Sequence, residues 1–256
     1  MSARALVVIP TYNEAGNILS LAGGVLEQDR SLEVLVVDDA SPDGTGDLVA
    51  KNGRTEPRLQ LLRRAGKLGL GSAYLAGFRY ALERGHGRVV TMDGDWSHHP
   101  RHLPTILEAM VDHDLVIGSR YVPGGGVANW DLHRRLLSAF ANAYTRILLR
   151  LPVRDCTGGY RCYARQALEA VDPFSIRASG YSFLEEMVWR VHRAGFRIGE
   201  VPIVFECRHA GASKIDRHEI WRAAWHVLRT AVRPPEILAA GKGRSVHQLG
   251  SADAPK

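Results

Sequence analysis

The sequence predicts an α/β fold with a Rossmann-like, mostly parallel sheet carrying helices on both faces. Three observations predict it. The strand candidates are continuous apolar runs, the pattern of strands buried on both faces. Through the first 120 or so residues they alternate with stretches of helical period. Three of them end in acidic or polar clusters, as strands do when their carboxyl ends open on a ligand crevice.

The elements follow in order. A strand over 5–9 ends at Pro10-Thr11-Tyr12-Asn13-Glu14, and a helix over 16–27 follows. A second strand, 32–37, ends in Asp38-Asp39-Ala40-Ser41-Pro42-Asp43-Gly44, where Asp43 is placed to cap a helix reaching residue 51. A strand over 58–62 precedes a helix over 69–84 with Leu70, Ala73, Tyr74, Gly77 and Phe78 on one face. The strand 88–92, Arg-Val-Val-Thr-Met, runs into Asp93-Gly94-Asp95; a helix over 101–111 and a strand over 115–118 come next.

Beyond Gly118 the alternation stops. A Gly-rich stretch, 123–126, leads to a helix over 133–149 with Leu136, Leu137, Phe140, Tyr144, Ile147 and Leu148 as an apolar stripe. A Gly-rich turn over 155–161, a helix over 182–194, a strand over 198–203 and a helix over 219–232 complete the series. Residues 1–240 read as one domain and 241–256, polar and rich in Gly, Ser and Ala, as a disordered tail.

In such a sheet the strand-end clusters share one edge, so Tyr12, Glu14, Asp38, Asp39, Asp93 and Asp95 are expected in a single site. In an extended chain Asp93 and Asp95 would stand roughly 6–7 Å apart, and a turn at Gly94 would bring them together. Paired carboxylates beside a diphosphate suit a hard divalent cation such as Mg²⁺. Purely structural explanations exist too: helix capping or turn formation for one of Asp38 and Asp39, first-turn helix stabilisation for Glu14, and a polar turn leading to the next helix for 93–100. Arg134 and Ser138, four apart, share a helix face, and Arg208 and Lys214 lie in a small-residue loop suited to closing over a diphosphate.

Composition narrows the classes. With 45% hydrophobic residues the 256-residue chain can bury a sizeable core, and its +6 formal charge favours anionic partners. Nucleic acid fits poorly, because acidic clusters at the binding edge repel bare phosphate and no basic, aromatic groove is evident. No Gly-x-Gly-x-x-Gly follows the first strand, which argues against a nicotinamide or flavin enzyme. Three cysteines, Cys156, Cys162 and Cys207, lack metal-site spacing and fit a reducing compartment. Arg146 and Arg150 interrupt the longest apolar stretch, so no spanning helix is expected. In the last helix Trp221, Trp225, Leu228 and Val232 form one stripe and Arg222, His226, Arg229 and Arg233 another. That pattern suits either a helix at a membrane interface or a terminal helix with its tryptophans in the core.

Together, Val8-Ile9-Pro10-Thr11-Tyr12-Asn13-Glu14, Val36-Val37-Asp38-Asp39-Ala40-Ser41-Pro42-Asp43-Gly44-Thr45 and Met92-Asp93-Gly94-Asp95 resemble the family 2 glycosyltransferases of the GT-A fold. Ser97-His98-His99-Pro100, Gly118-Ser119-Arg120-Tyr121, residues 155–161 and 211–214 narrow the resemblance to the polyprenol-phosphate (dolichol-phosphate) mannose synthases. The resemblance implies transfer of mannose from GDP-mannose to a polyprenyl phosphate, giving a β-linked product, with Mg²⁺ or Mn²⁺ as cofactor. It implies that Pro10, Tyr12, Glu14, Val37 and Asp39 hold the nucleotide, and that Asp93, Gly94, Asp95 and Ser97 lie along diphosphate and metal, with Asp93 and Asp95 as ligands. Arg208 and Lys214 would sit on the closing loop, and Arg120, Arg134 and Ser138 would receive the lipid phosphate. Asp95, Arg120 and Arg134 would then carry the catalysis. Gly94 departs from the family, which often has alanine there. The C-terminal membrane helices of some members are missing, so contact with the cytoplasmic face of a membrane is expected to be peripheral or through a membrane-protein partner. The alternatives are another donor, such as UDP-glucose, and a non-catalytic binding module.

Overall fold

The computed structural model describes residues 4–178, 180–206, 217–232 and 234. Its centre is a seven-stranded sheet in the order β3-β2-β1-β4-β7-β5-β8. β1 (Ala5–Thr11), α1 (Ile18–Gln28), β2 (Leu32–Asp38), α2 (Thr45–Asn52), β3 (Leu59–Arg63), α3 (Leu70–Glu83) and β4 (Arg88–Thr91) alternate as expected, and the four strands are parallel. Each strand is apolar throughout because alternate side chains serve opposite faces. Leu6, Val8, Leu35, Val37 and Val89 enter one core with Ala73, Tyr74 and Phe78 of α3. Ala5, Val7, Ile9, Val34, Val36 and Val90 enter the other with Ile18, Leu21 and Val25 of α1.

One glycine sets how closely α3 approaches the sheet. A Cβ at Gly77 would stand 2.4 Å from Val8 Cγ1, so a side chain there would lift the helix off β1.

The second half departs from simple alternation. A 3-10 turn (Pro100–His102) precedes α4 (Leu103–Ala109), and β5 (Leu115–Ser119) is parallel to β8 (Ile198–Pro202). Between β4 and β5 lies β7 (Arg161–Ala164), antiparallel to both. The sequence pattern ends the turn at Arg161 and assigns no element between there and residue 182. The chain instead forms β7 and α6 (Arg165–Val171), because Cys162 and Tyr163 are buried on opposite faces and Leu168 and Val171 cover the sheet. β6 (Gly126–Val127) pairs with β9 (Val204–Phe205) in a small parallel ribbon beside the main sheet.

α5 (Leu132–Leu149), α7 (Tyr181–Arg193) and α8 (Arg217–Val232) pack together near the carboxyl edge of the sheet. α5 turns polar Asn142 and Thr145 inward, while Leu132, Leu136, Phe140 and Ile147 are exposed. In α8, Val227 and Thr230 face inward and Trp221, Trp225 and Val232 are exposed, which overturns the reading with tryptophans in the core. Among the described residues no helix is long and apolar enough to cross a membrane. The tail expected over 241–256 lies outside the described residues.

Candidate active site

The β4 strand delivers Asp93 and Asp95 to the sheet edge. Asp93 Oδ1 accepts from the Tyr74 hydroxyl at 3.2 Å, and the Asp93 amide donates to His98 Nδ1 at 2.9 Å. His98 is itself fixed, stacked on Tyr160 with ring centroids 4.9 Å apart. Burial lowers its pKa, so the ring stays neutral and its Nδ1 remains an acceptor. Asp95 Oδ1 accepts from the Ser97 amide at 3.1 Å and the Ser97 hydroxyl at 2.5 Å. The left-handed residue of this turn is Trp96, at φ 67°, rather than Gly94. Gly94 matters for proximity: a Cβ there would stand 3.3 Å from the Pro10 carbonyl oxygen.

The loops after β1 and β2 interlock. Asp38 is spent on the turn, accepting from the Thr11 hydroxyl at 3.1 Å and from the Ser41 hydroxyl and amide. Asp39 faces the site and is held by Arg64 Nε at 2.5 Å and the Leu68 amide at 3.1 Å. Glu14 accepts from Asn17 Nδ2 at 2.8 Å. Asp43 does not act at the N-cap, which is Gly44; it accepts from the Ala15 amide and from the amide and hydroxyl of Thr45, joining the two loops.

At the opposite side, Asp155 grips Arg120. Its carboxylate accepts from the Arg120 amide at 3.0 Å, Nε at 2.8 Å and Nη2 at 2.7 Å, and from the Gly158 amide at 2.9 Å. Burial alone would raise the Asp155 pKa, but the Arg120 charge and these bonds bring it below the usual carboxylate range. The Arg134 guanidinium lies 4.2 Å from the Trp130 ring centroid, and the Ser138 hydroxyl accepts from Tyr121 at 2.7 Å. Fully buried Arg161 fastens the intervening loop by donating to the Gly158 and Cys156 carbonyls, both at 2.7 Å.

These loops surround one cavity of about 720 Å³. Pro10, Tyr12, Glu14, Asp39, Asp93, Gly94 and Asp95 line one part; Arg120, Arg134 and Ser138 line another. Val37 and Ser97, expected along the nucleotide and diphosphate, are instead buried outside the lining, Val37 in the β2 core and Ser97 behind Asp95. Arg208 and Lys214 lie outside the described residues. Lys67, Trp130, Thr157 and Glu185 also line the cavity, although sequence reasoning gave none of them a site role. Asp155 had a signal, its place in the Gly-rich turn, but its pairing with Arg120 needs the fold. Cys156 and Cys162 are free and buried, and burial raises both thiols to about 12, so neither is reactive.

An acidic pair and two arginines across one cavity, at the carboxyl edge of a mostly parallel sheet, define a group-transfer site for phosphorylated substrates. Residues 6–172 match the family model described as glycosyl transferase family 2, and the chain belongs to that family. It is 44% identical over 232 residues to a polyprenol monophosphomannose synthase of Mycolicibacterium smegmatis, covering 90% of this chain and 88% of the relative. It is 46% identical over 226 residues to an undecaprenyl-phosphate mannosyltransferase of Micrococcus luteus, covering 88% and 93%.

Among solved structures it resembles the mannosyltransferase PcManGT from Pyrobaculum calidifontis in complex with GDP-Man and Mn²⁺, with TM-score 0.61 and 22% identity over 93% of this chain. It spans 66% of that neighbour's chain. It also resembles glucosyl-3-phosphoglycerate synthase from Mycobacterium tuberculosis in complex with Mn²⁺, UDP and glucosyl-3-phosphoglycerate, with TM-score 0.62 and 18% identity over 91% of this chain and 81% of that one. Both likenesses carry the fold, that of GT-A glycosyltransferases.

Proposed function

We propose that this chain transfers mannose from GDP-mannose to a polyprenyl monophosphate, with inversion, giving polyprenyl phosphate β-mannose. The observation that carries the proposal is the single cavity that joins the Asp93/Asp95 edge to Arg120 and Arg134. The names of the two relatives at 44% and 46% identity supply the substrate class.

The donor sits at the β1/β2 edge. Pro10, Tyr12, Glu14 and Asp39 border the nucleotide, with Val37 shaping that wall from beneath. The donor set fits a hard cation: two carboxylates on one wall, one of them already oriented by Ser97. Among the described residues no group of three or more His, Cys, Asp or Glu is placed to hold a metal ion, so a cation held by Asp93 and Asp95 would draw further ligands from its substrate. When bound between Asp93 and Asp95, Mg²⁺ or Mn²⁺ supplies Lewis-acid neutralisation of the departing diphosphate. The acceptor needs no strong base, because a phosphate monoester has its second pKa near about 6 and is mostly ionised at neutral pH. This chain's task is therefore positioning. Arg120, aligned by Asp155, and Arg134, braced on Trp130, orient the phosphate together with Ser138. Direct attack from that side, opposite the leaving group, inverts the anomeric carbon.

The exposed apolar faces of α5 and α8 lie beside the acceptor side of the cavity and are flanked by exposed Arg135, Arg146, Arg222 and Arg229. They dock the enzyme peripherally on an anionic membrane, where the lipid acceptor resides. The free buried thiols of Cys156 and Cys162 fit a reducing compartment, which supports docking at the cytoplasmic face. Competition between GDP-mannose and UDP-glucose for a polyprenyl phosphate acceptor tests the donor. Preferential transfer of mannose is expected; preferential transfer of glucose would retain the reaction class and overturn the donor.

A further inference from the structure

We propose that Glu185 is a substrate-contacting residue of the cavity, giving a hydrogen bond to a hydroxyl of the transferred hexose. This rests on the reading above that a hexose is transferred between the two sides of the cavity.

Glu185 belongs to α7 and is 3% exposed, yet it lines the cavity. Its Oε1 accepts from the Thr145 hydroxyl of α5 at 3.1 Å. Its Oε2 is buried and has no hydrogen-bond partner among the described residues. A buried polar oxygen left in this state is destabilising, and such atoms recur at binding sites where a ligand completes them.

The surroundings say which ligand group. Arg161 donates to the Leu184 carbonyl at 2.6 Å while holding Cys156 and Gly158, so the residue next to Glu185 is tied to the loop that carries Asp155. The far end of that loop, Gly159, abuts the acidic edge: a Cβ there would stand 3.6 Å from Asp93 Oδ1. Glu185 thus borders the cavity next to the loop that holds Arg120 through Asp155 and ends against Asp93. With the diphosphate at the carboxylates and the acceptor phosphate at Arg120, the hexose lies between them alongside this loop, and its hydroxyls are the polar groups it offers to the wall.

The protonation state supports a donor role. Burial raises the Glu185 carboxyl to about 7, against the opposing pull of Thr145, His226 of α8 and Arg161 of β7. Cys156, also nearby, stays a neutral thiol. His226 is engaged elsewhere, 3.0 Å from Glu186 Oε2, and Arg190 also holds Glu186. Near neutral pH a large share of Glu185 is therefore the protonated acid, able to donate as well as accept.

The test compares wild type, Glu185→Gln and Glu185→Leu with GDP-mannose and its 2-, 3-, 4- and 6-deoxymannose analogues, varying donor and acceptor separately. Glu185→Leu should lose roughly tenfold in donor kcat/KM, the worth of one hydrogen bond. One deoxy donor should show that loss in wild type and no further loss in Glu185→Leu. Glu185→Gln, which keeps a donor group, should retain most activity and lose the decline in donor kcat/KM that wild type shows as pH rises through about 7. Equal penalties for every deoxy donor in wild type and Glu185→Leu would overturn the proposal. So would a loss confined to acceptor KM, which would place the contact on the phosphate instead. Thermal unfolding of both variants separates loss of contact from loss of fold. Absence of any mannose transfer by wild type would remove the functional reading itself, whereas transfer without hydroxyl-specific coupling would remove only the role of Glu185.

Discussion

The grip of Asp155 on Arg120 permits a quantitative prediction. Replacing Asp155 by alanine removes the acceptor of three Arg120 bonds and one Gly158 bond, all between 2.7 and 3.0 Å. The Asp155 side chain is 0% exposed and that of Arg120 8%, so solvent screening is small and the counter-charge is lost in a nearly dry setting. Removing one partner of such a pair costs about 3–5 kcal/mol. For a chain of this size that is roughly 10 °C in Tm. Denaturant unfolding at a series of pH values is the assay. Because the folded-state pKa of Asp155 lies below its unfolded value, its contribution is complete above the unfolded value and disappears as pH falls through the folded one. The stability gap between wild type and Asp155→Ala should therefore stay constant from neutral pH down to about 5 and shrink below about 4. A gap under about 1 kcal/mol at pH 7, or one unchanged at pH 2, would refute the reasoning.

Gly77→Ala should destabilise the fold by about 1–3 kcal/mol, measured by urea unfolding, because the new methyl collides with Val8. Asp95→Asn should remain folded by circular dichroism while turnover falls about a hundredfold or more, the scale of a lost charge-stabilising group. Arg134→Ala should raise the acceptor KM or lower acceptor turnover, with GDP binding by calorimetry unchanged; an unchanged acceptor KM and turnover would count against its role. Trp225→Ser should lose much of the sedimentation with anionic lipid vesicles but keep transfer to a short-chain acceptor in detergent, since Trp225 is solvent-exposed and outside both the cores and the cavity lining.

The parallel half of the sheet was legible because burial on both faces demands unbroken apolar strands, and 5–9, 32–37 and 88–92 satisfy that locally. β7 was not, because the Arg161–Ala164 strand is short and begins with an arginine whose partners are carbonyls distributed over 156, 158 and 184. Clustering of Asp39, Asp93 and Asp95 followed from topology alone, whereas the expectation that one of Asp38 and Asp39 serves the turn followed from the capping and turn chemistry of aspartate. Asn13, Ala40 and Trp96 take positive φ in the three strand-end loops without being glycines, and Gly44 is the glycine that does, so the sequence pointed to Gly94 where Trp96 makes the turn. The outward faces of α5 and α8 show the limit of periodicity: a stripe of apolar residues tells which side is alike, and only packing tells which side is inside.

The decisive experiment is transfer of labelled mannose from GDP-mannose to a short-chain polyprenyl phosphate in detergent, with Mg²⁺ or Mn²⁺ and then with a chelator. Wild type should form a metal-dependent, acid-labile mannolipid that Asp95→Asn scarcely forms. Mannolipid formed at an undiminished rate in chelator or by Asp95→Asn would contradict the assignment of Asp93 and Asp95; no glycolipid from any nucleotide sugar would contradict the reaction itself.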